Sequence, residues 1–204
     1  MAGPIDCRSS PTEVNKLAMT KSSDWFEKNL IDAVPYRHGG TLRKVYPGCV
    51  QISAFLNINL KRHVHSLRQF YRDPVKGDME KAAITRSFYE AYFAVADLPA
   101  EFYLETVKLV FQEYTWPQGK LKWRGRKVNP AAIRRTALLT VEGEKDDIGS
   151  LGQTLAAHDL CSGLRRYILT HYIEAGAGHY GVFSGRRWNN NIYPVVREAI
   201  QVAA

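Results

Sequence analysis

The chain has 204 residues, of which 45% are hydrophobic, and its formal net charge is +8 at pH 7. This length fits one full-sized domain or a domain with a small appendage, and the hydrophobic fraction excludes a wholly disordered chain. The positive charge is compatible with an anionic partner, but it does not identify one.

Residues 10–116 have helical periodicity. Ser10, Pro11, Thr12 and Glu13 predict a capping box with proline at the first helical position, and therefore a helix start. Apolar residues at helical spacing predict five segments, which are separated by proline and glycine breaks. The predicted segments are 12–21, 23–31, 50–71, 79–96 and 99–116.

Residues 117–129, PQGKLKWRGRKVN, form a basic connector with five cationic side chains around Trp123. Basic residues interleaved with an aromatic ring can hold a nucleic-acid backbone. A solvated link between two parts of the fold is the preferred interpretation. Contact with a polar or anionic surface is a further alternative.

After residue 130 the pattern becomes α/β. The apolar run at 136–141 has the length of a strand in a parallel sheet that is covered on both faces. A helix around 152–164 and a second strand at 166–174 follow, which predicts a right-handed strand–helix–strand crossover. A glycine-rich loop and a closing helix end the chain.

Two loops after these strands contain candidate catalytic residues. Four acids, Glu142, Glu144, Asp146 and Asp147, follow the first strand, and His179 lies in the glycine-rich loop after the second. Functional groups of open α/β sheets collect beyond the carboxyl ends of the strands. We predict that Asp146, three residues after a glycine, orients the His179 imidazole as a general base. Asp147 is the strongest rival for the acid role.

The nucleophile that such a pair would serve is missing from the sequence. Neither the G-x-S-x-G elbow nor a cysteine version of it is present. Cys49 and Cys161 are interpreted as packing thiols, and the cysteine spacing fits no metal or redox motif. His63 and His65 lie two residues apart on a predicted helix and so face different sides. No metal site and no cofactor are therefore predicted.

Several long motifs resemble one known family. GPIDCR, PTEVNKLA, YPGCVQ, DLPAEFYLETV, ALLTVEGEKDDI, GQTLAAHDLC and GHYGVFSGRRW are similar to the intracellular polyhydroxyalkanoate (polyhydroxybutyrate) depolymerases. These enzymes are α/β-hydrolases that cleave carboxylic esters with a nucleophile–His–Asp triad. The resemblance extends over essentially the whole chain, but it covers only the C-terminal half of the family's enzymes.

The resemblance implies an incomplete α/β-hydrolase-like fold with a mostly parallel sheet. Residues 1–9 would be the end of a core strand and its loop, residues 10–129 a helical cap, and residues 130–204 the C-terminal part of the core. It also implies that Asp146 is the triad acid and His179 the triad base.

In the family, the nucleophile elbow lies upstream of the GPID motif and has no counterpart here. We therefore expect no ester hydrolysis by this polypeptide alone. A sheet without its central strands would expose an unpaired edge. A true start upstream of Met1 is the expected explanation. The alternatives are an N-terminal partner chain, a homo-oligomer joined through that edge, and aggregation.

The resemblance implies a cytoplasmic protein, associated with polymer granules, and no stretch of the sequence has the length of a membrane span. One alternative function is a non-catalytic protein that binds polymer granules. A weaker alternative is a nucleic-acid-binding module that uses the basic connector.

Overall fold

The computed structural model describes residues 1–203, and the chain divides into two compact units. One unit combines Met1–Ser23 with the residues from Glu105 onward, and the other is Asp24–Leu104. Both units mix helices and short strands, in agreement with the predicted mixed α/β class. The division into a cap and a hydrolase core stays a prediction.

Helices dominate the chain, and the strands are short. The α-helices are α1 (Glu13–Thr20), α2 (Ser23–Leu30), α3 (Gly48–Ile58), α4 (Leu60–Val75), α5 (Met79–Phe93), α6 (Ala100–Thr106), α7 (Ala157–Leu160), α8 (Gly185–Arg187) and α9 (Tyr193–Ala203). Shorter helical turns are the π-helices Val107–Gln112 and Trp188–Ile192 and the 3₁₀ turns Pro130–Ala132, Arg166–Ile168 and His179–Val182. The strands are β1 (Asp32–Ala33), β2 (Lys44–Tyr46), β3 (Leu98–Pro99), β4 (Lys122–Trp123), β5 (Arg126–Lys127), β6 (Leu138–Gly143) and β7 (Leu169–Glu174).

The predicted helical segments are confirmed, with two differences of detail. The capping box lies two residues later than predicted, because the Thr12 hydroxyl accepts from the Asn15 N–H while the Asn15 amide oxygen accepts from the Thr12 N–H. An asparagine side chain thus does what the sequence pattern assigned to Glu13. The single segment predicted for 50–71 is two helices, α3 and α4, which are divided at Asn59.

The predicted parallel strand pair is confirmed by β6 and β7, which pair in parallel from Leu138↔Leu169 to Gly143↔Glu174. The prediction of a mostly parallel sheet is wrong for residues 1–203. The other two sheets, β1–β2–β3 and β4–β5, are antiparallel. Their strands have only two or three residues, and β4 and β5 form a hairpin within the segment that was interpreted as a basic connector.

The helix predicted at 152–164 is also much shorter than expected. Turns occupy 151–156, and only α7 is helical. Gly152 adopts a left-handed φ of +89°, which interrupts a regular helix. The Glu142 carboxylate accepts hydrogen bonds from the backbone N–H groups of Gly152, Thr154 and Leu155, so these groups point to a buried acid.

The apolar core of the first unit lies around the end of β6. Ala2, Val141, Val182 and Ile192 are buried against one another, and Leu139 and Val196 pack against them. This core joins β6, the 3₁₀ turn at His179–Val182 and the closing helical segments. No helix within residues 1–203 has both the length and the hydropathy to cross a bilayer.

Candidate active site

The loops after β6 and β7 bring Asp146 and His179 into contact. Asp146 Oδ2 lies 2.9 Å from His179 Nδ1, a hydrogen-bond distance. The Asp146 side chain is 0% exposed, whereas 23% of the His179 side chain is exposed. The carboxylate can only accept, so Nδ1–H of the ring is the donor. A buried acid therefore orients a partly accessible imidazole.

The other oxygen of the Asp146 carboxylate is held by the backbone of its own loop. Oδ1 accepts from the N–H of Ile148 at 2.9 Å and from the N–H of Gly149 at 2.8 Å. Hydrogen bonds to the charged form stabilise a buried carboxylate. They also lock the side chain in one rotamer, so that Oδ2 faces the ring.

A close approach of the two loops sets this contact. Because β6 and β7 are parallel, their carboxyl ends lie at the same edge. Lys145 N–H donates to the Ala177 carbonyl at 2.8 Å, which joins the acid loop to the histidine loop. A Cβ atom at Gly143 would lie 2.6 Å from that same carbonyl oxygen, a distance that real Cβ atoms do not reach. Glycine at 143 is therefore required for the loops to meet.

His179 begins a 3₁₀ turn that is anchored in the core. Val182, at the other end of this turn, is fully buried among the apolar side chains around β6. The edges of the Tyr180 and Phe183 rings approach the imidazole, with centroids 5.7 and 5.6 Å away. Nε2 of the ring has no hydrogen-bond partner within residues 1–203. The turn thus presents one ring nitrogen that can exchange a proton.

The remaining acids of the loop have other contacts. Glu142 is buried and binds the backbone N–H groups of the turns that follow it. Glu144 accepts from the N–H of Gly176 at 2.6 Å and so holds the start of the histidine loop. Asp147 is exposed. Asp146 contacts the His179 ring.

A second polar cluster lies along β6 and was not predicted from the sequence. The Thr140 hydroxyl lies 2.9 Å from both His158 Nε2 and His171 Nδ1, and Glu142 Oε2 lies 3.6 Å from His171 Nε2. Burial, and secondarily the charge of His171, lowers the pKa of His158. The sequence contained one indication of this cluster. Thr140 and Glu142 are two residues apart on β6 and so lie on the same face, and the parallel register places His171 opposite Thr140.

The two cysteines in the unit that contains this pair, Cys7 and Cys161, are buried. Cys7 is buried, and burial raises the pKa of its thiol to about 12, with a smaller contribution from the Asp6 charge. Burial also raises the pKa of Cys161. The interpretation of Cys161 as a buried packing thiol is confirmed, but for Cys49 it is wrong because that residue is exposed.

Within residues 1–203, no group of three histidine, cysteine or acidic side chains is placed to hold a metal ion. His63 is instead a buried histidine whose Nδ1 lies 3.0 Å from the Tyr89 hydroxyl. Burial, together with the charge of Arg62, lowers the pKa of His63. His65 is exposed, so the two histidines do not share a site.

In a comparison with protein families, one family matches nearly the whole chain. A family model described as PHB de-polymerase C-terminus matches residues 2–204. No curated protein and no solved structure matches the chain significantly.

Proposed function

The chain belongs to the PHB de-polymerase C-terminus family, and from this premise we propose that it supplies the acid and the general base for hydrolysis of polyhydroxyalkanoate esters. The observation that carries the proposal is the 2.9 Å contact between buried Asp146 and His179, which leaves Nε2 of the ring without a partner in residues 1–203. Membership of the family supports a polymer ester as the substrate class.

In the proposed reaction, His179 Nε2 takes the proton of a hydroxyl or thiol nucleophile as that atom attacks the ester carbonyl. Asp146 keeps the other ring proton on Nδ1 and stabilises the imidazolium that forms. The Nε2 proton then passes to the leaving alkoxide. In the second half of the reaction, Nε2 takes a proton from water, and the resulting hydroxide attacks the acyl group that is bound to the nucleophile. The nucleophile leaves and takes back the proton from Nε2.

We further propose that the fold is an incomplete α/β-hydrolase core with a helical cap, and that the nucleophile comes from a polypeptide segment paired with β6. Within residues 1–203, β6 has a strand partner only on the β7 side. On its other side, the Ala2 N–H donates to the Val141 carbonyl at 2.8 Å. Parallel sheets in this fold class have covered edges, so a further strand fits this position.

A chimeric enzyme tests the acid and base assignments. Residues 2–204 replace the C-terminal region of a complete family depolymerase, and hydrolysis of amorphous polymer is measured. The chimera should be active, and Asp146→Asn or His179→Ala should each reduce kcat by about 10³–10⁴-fold. Asp147→Asn is the matched control and should keep most of the activity. A folded chimera that is inactive, or one that retains activity after either triad substitution, contradicts the proposal.

The chain without a partner should not hydrolyse the polymer. We expect no turnover and no stoichiometric labelling by a serine- or thiol-directed probe at the site. Labelling combined with turnover, both abolished by His179→Ala, would show that this polypeptide contains its own nucleophile. That result would refute the partner-segment proposal and leave the acid and base assignments in place.

A second candidate function is binding to the surface of cytoplasmic polymer granules, and the basic connector favours it. Residues 122–127 form the hairpin β4–β5, whose turn has a left-handed φ at Arg124 and Gly125. Trp123 at this hairpin is 69% exposed, and the Arg124 guanidinium lies 5.3 Å from its ring centroid. An exposed indole among cations fits a surface that offers both apolar and anionic contacts.

Co-sedimentation with polymer granules tests this second function. Trp123→Ala should release much of the chain from granules, and added salt should weaken what remains. A stronger, steeply salt-dependent gel shift with single-stranded nucleic acid would instead favour the nucleic-acid alternative.

A further inference from the structure

A polar cleft of about 540 Å³ lies beside the histidine loop, and the proposed reaction does not use it. It opens at the start of the closing helical segments. Among residues 1–203, no acidic side chain lines it. Its lining includes Gly181, Ser184, Arg186, Arg187, Asn190 and Asn191.

Two of the lining side chains are fixed by a buried acid behind the cleft. Glu174, which is 4% exposed, accepts from Asn191 Nδ2 at 2.7 Å and lies 3.8 Å from Arg187 Nε. Arg187 Nε also donates to the Ala175 carbonyl at 3.2 Å. The second oxygen of Glu174 accepts from the Tyr172 hydroxyl. These contacts hold one guanidinium and one amide in place at the cleft wall.

Of the three other polar side chains of the lining, Ser184 donates to the Tyr180 carbonyl, and the remaining two have no partner among the described residues. The side chains of Arg186 and Asn190 have no hydrogen bond or ion pair with any of residues 1–203, and both residues are exposed. Glu174 offsets the positive charge of Arg187. The positive charge of Arg186 has no acidic partner among residues 1–203. A guanidinium presents a planar fork of N–H donors that matches the two oxygens of a carboxylate. The cleft is therefore suited to an oxyanion.

The position of the cleft relates it to the substrate. Gly181 of the lining lies two residues after His179, in the same 3₁₀ turn. A hydroxyalkanoate polyester is neutral along its length, and its one charged group is the carboxylate at one chain end. A cationic cleft beside the proposed base can therefore distinguish a chain end from the middle of a chain.

We propose that this cleft binds the terminal carboxylate of a hydroxyalkanoate chain, an inference that rests on the proposed function. Arg186 and Arg187 supply the positive charge, and the amide groups of Asn190 and Asn191 supply further donors. The consequence is a preference for oligomers with a free carboxylate over esters of the same length. Inorganic phosphate shares the oxyanion chemistry and is the alternative source of a ligand.

Binding by the whole chain tests the proposal without any turnover. A linear trimer of 3-hydroxybutyrate is titrated as the free acid and as its methyl ester, and binding is followed by protein NMR and calorimetry. The free acid should bind about tenfold more tightly than the ester. Arg186→Gln should weaken binding of the acid by about five- to tenfold and leave binding of the ester unchanged. Arg197→Gln, an exposed arginine on α9 outside the cleft, is the matched control and should change neither.

The outcomes separate this proposal from the proposed function. Equal binding of acid and ester, or loss of binding in both arginine variants, overturns the carboxylate site. Inorganic phosphate that binds more tightly than the trimer and displaces it also overturns the assignment. An inactive chimera together with trimer binding that depends on Arg186 would contradict the catalytic proposal and leave the cleft assignment standing.

Discussion

Replacing Asp146 by asparagine changes the one side-chain atom that faces His179. The amide oxygen can take the place of Oδ1 and accept from the Ile148 and Gly149 N–H groups at 2.9 and 2.8 Å. The amide nitrogen then takes the place of Oδ2, opposite Nδ1 of the ring. An amide NH₂ is a donor, so Nδ1 must become the acceptor and the ring proton moves to Nε2.

The structure sets the size of the expected effect. Asp146→Asn loses one charge-assisted hydrogen bond, which contributes about 1.5–3 kcal/mol to the free energy of unfolding. The two backbone bonds remain. Asp146→Ala also leaves two loop N–H groups without their acceptor, each at a cost of about 1–3 kcal/mol. The alanine variant should therefore be clearly less stable than the asparagine variant. Asp147→Asn, on the exposed side of the loop, should change the free energy by less than about 0.5 kcal/mol.

Two measurements on the whole chain check the predicted order of stability and the predicted change of tautomer. Urea unfolding gives the order of stability, and ¹⁵N NMR of the imidazole at neutral pH reports which nitrogen carries the proton. The wild type should have the Nδ1–H tautomer, and Asp146→Asn should have the Nε2–H tautomer. The reasoning is refuted if the tautomer is unchanged in Asp146→Asn, or if Asp147→Asn alone produces the switch.

Three further predictions concern packing, pH and thiol chemistry. Gly143→Ala should destabilise the fold by about 1–3 kcal/mol in urea unfolding, because the new Cβ would overlap the Ala177 carbonyl. Burial lowers the pKa of His158, so the unfolded chain binds that proton more readily. Stability should be full above about pH 6.5 and fall as the pH drops below it, and His158→Gln should flatten this slope. A maleimide should label exposed Cys49 quickly in the native protein and buried Cys7 only after unfolding.

Each of these predictions has a control. Gly39→Ala should be nearly neutral, because a Cβ there meets nothing within 4 Å, and a cost equal to that of Gly143→Ala would contradict the loop argument. A pH slope that is unchanged in His158→Gln would assign the acid sensitivity to other groups. Native labelling that persists in Cys49→Ser would show that a buried thiol is accessible.

Local patterns identified much of the secondary structure. Apolar runs of strand length predicted β6 and β7, and their order with a connection between them predicted parallel pairing. Helical spacing located the helices of residues 10–116. These features could be predicted because they depend on periodicity within a few residues. The pairing of β1 with β2 and of β4 with β5 escaped prediction, because strands of two or three residues have no measurable period.

Long-range contacts lie outside what such patterns contain. The buried Gln153 amide donates to the Asn15 side chain, 138 residues away in sequence. The three N–H groups that bind Glu142 replace a helix that periodicity predicted. Neither contact has a local signature, because the partner residues are brought together only when the chain folds. The contact of Thr140 with His158 is of the same kind, whereas the parallel register of β6 and β7 alone places Thr140 opposite His171.

By itself, the sequence determined that an acid-rich loop and a histidine loop follow two adjacent parallel strands, and that no nucleophile elbow accompanies them. Its only ground for favouring Asp146 over Asp147 was the spacing of three residues after Gly143, and the two acids differ by one position in the same turn. Only the tertiary structure shows how the two acids differ, because the loop packing buries the Asp146 carboxylate against the His179 ring and leaves Asp147 exposed, and this difference supports the proposal that Asp146 is the acid. Which of two neighbouring side chains faces a partner depends on how a turn is held, and here it is held by contacts between distant segments of the chain.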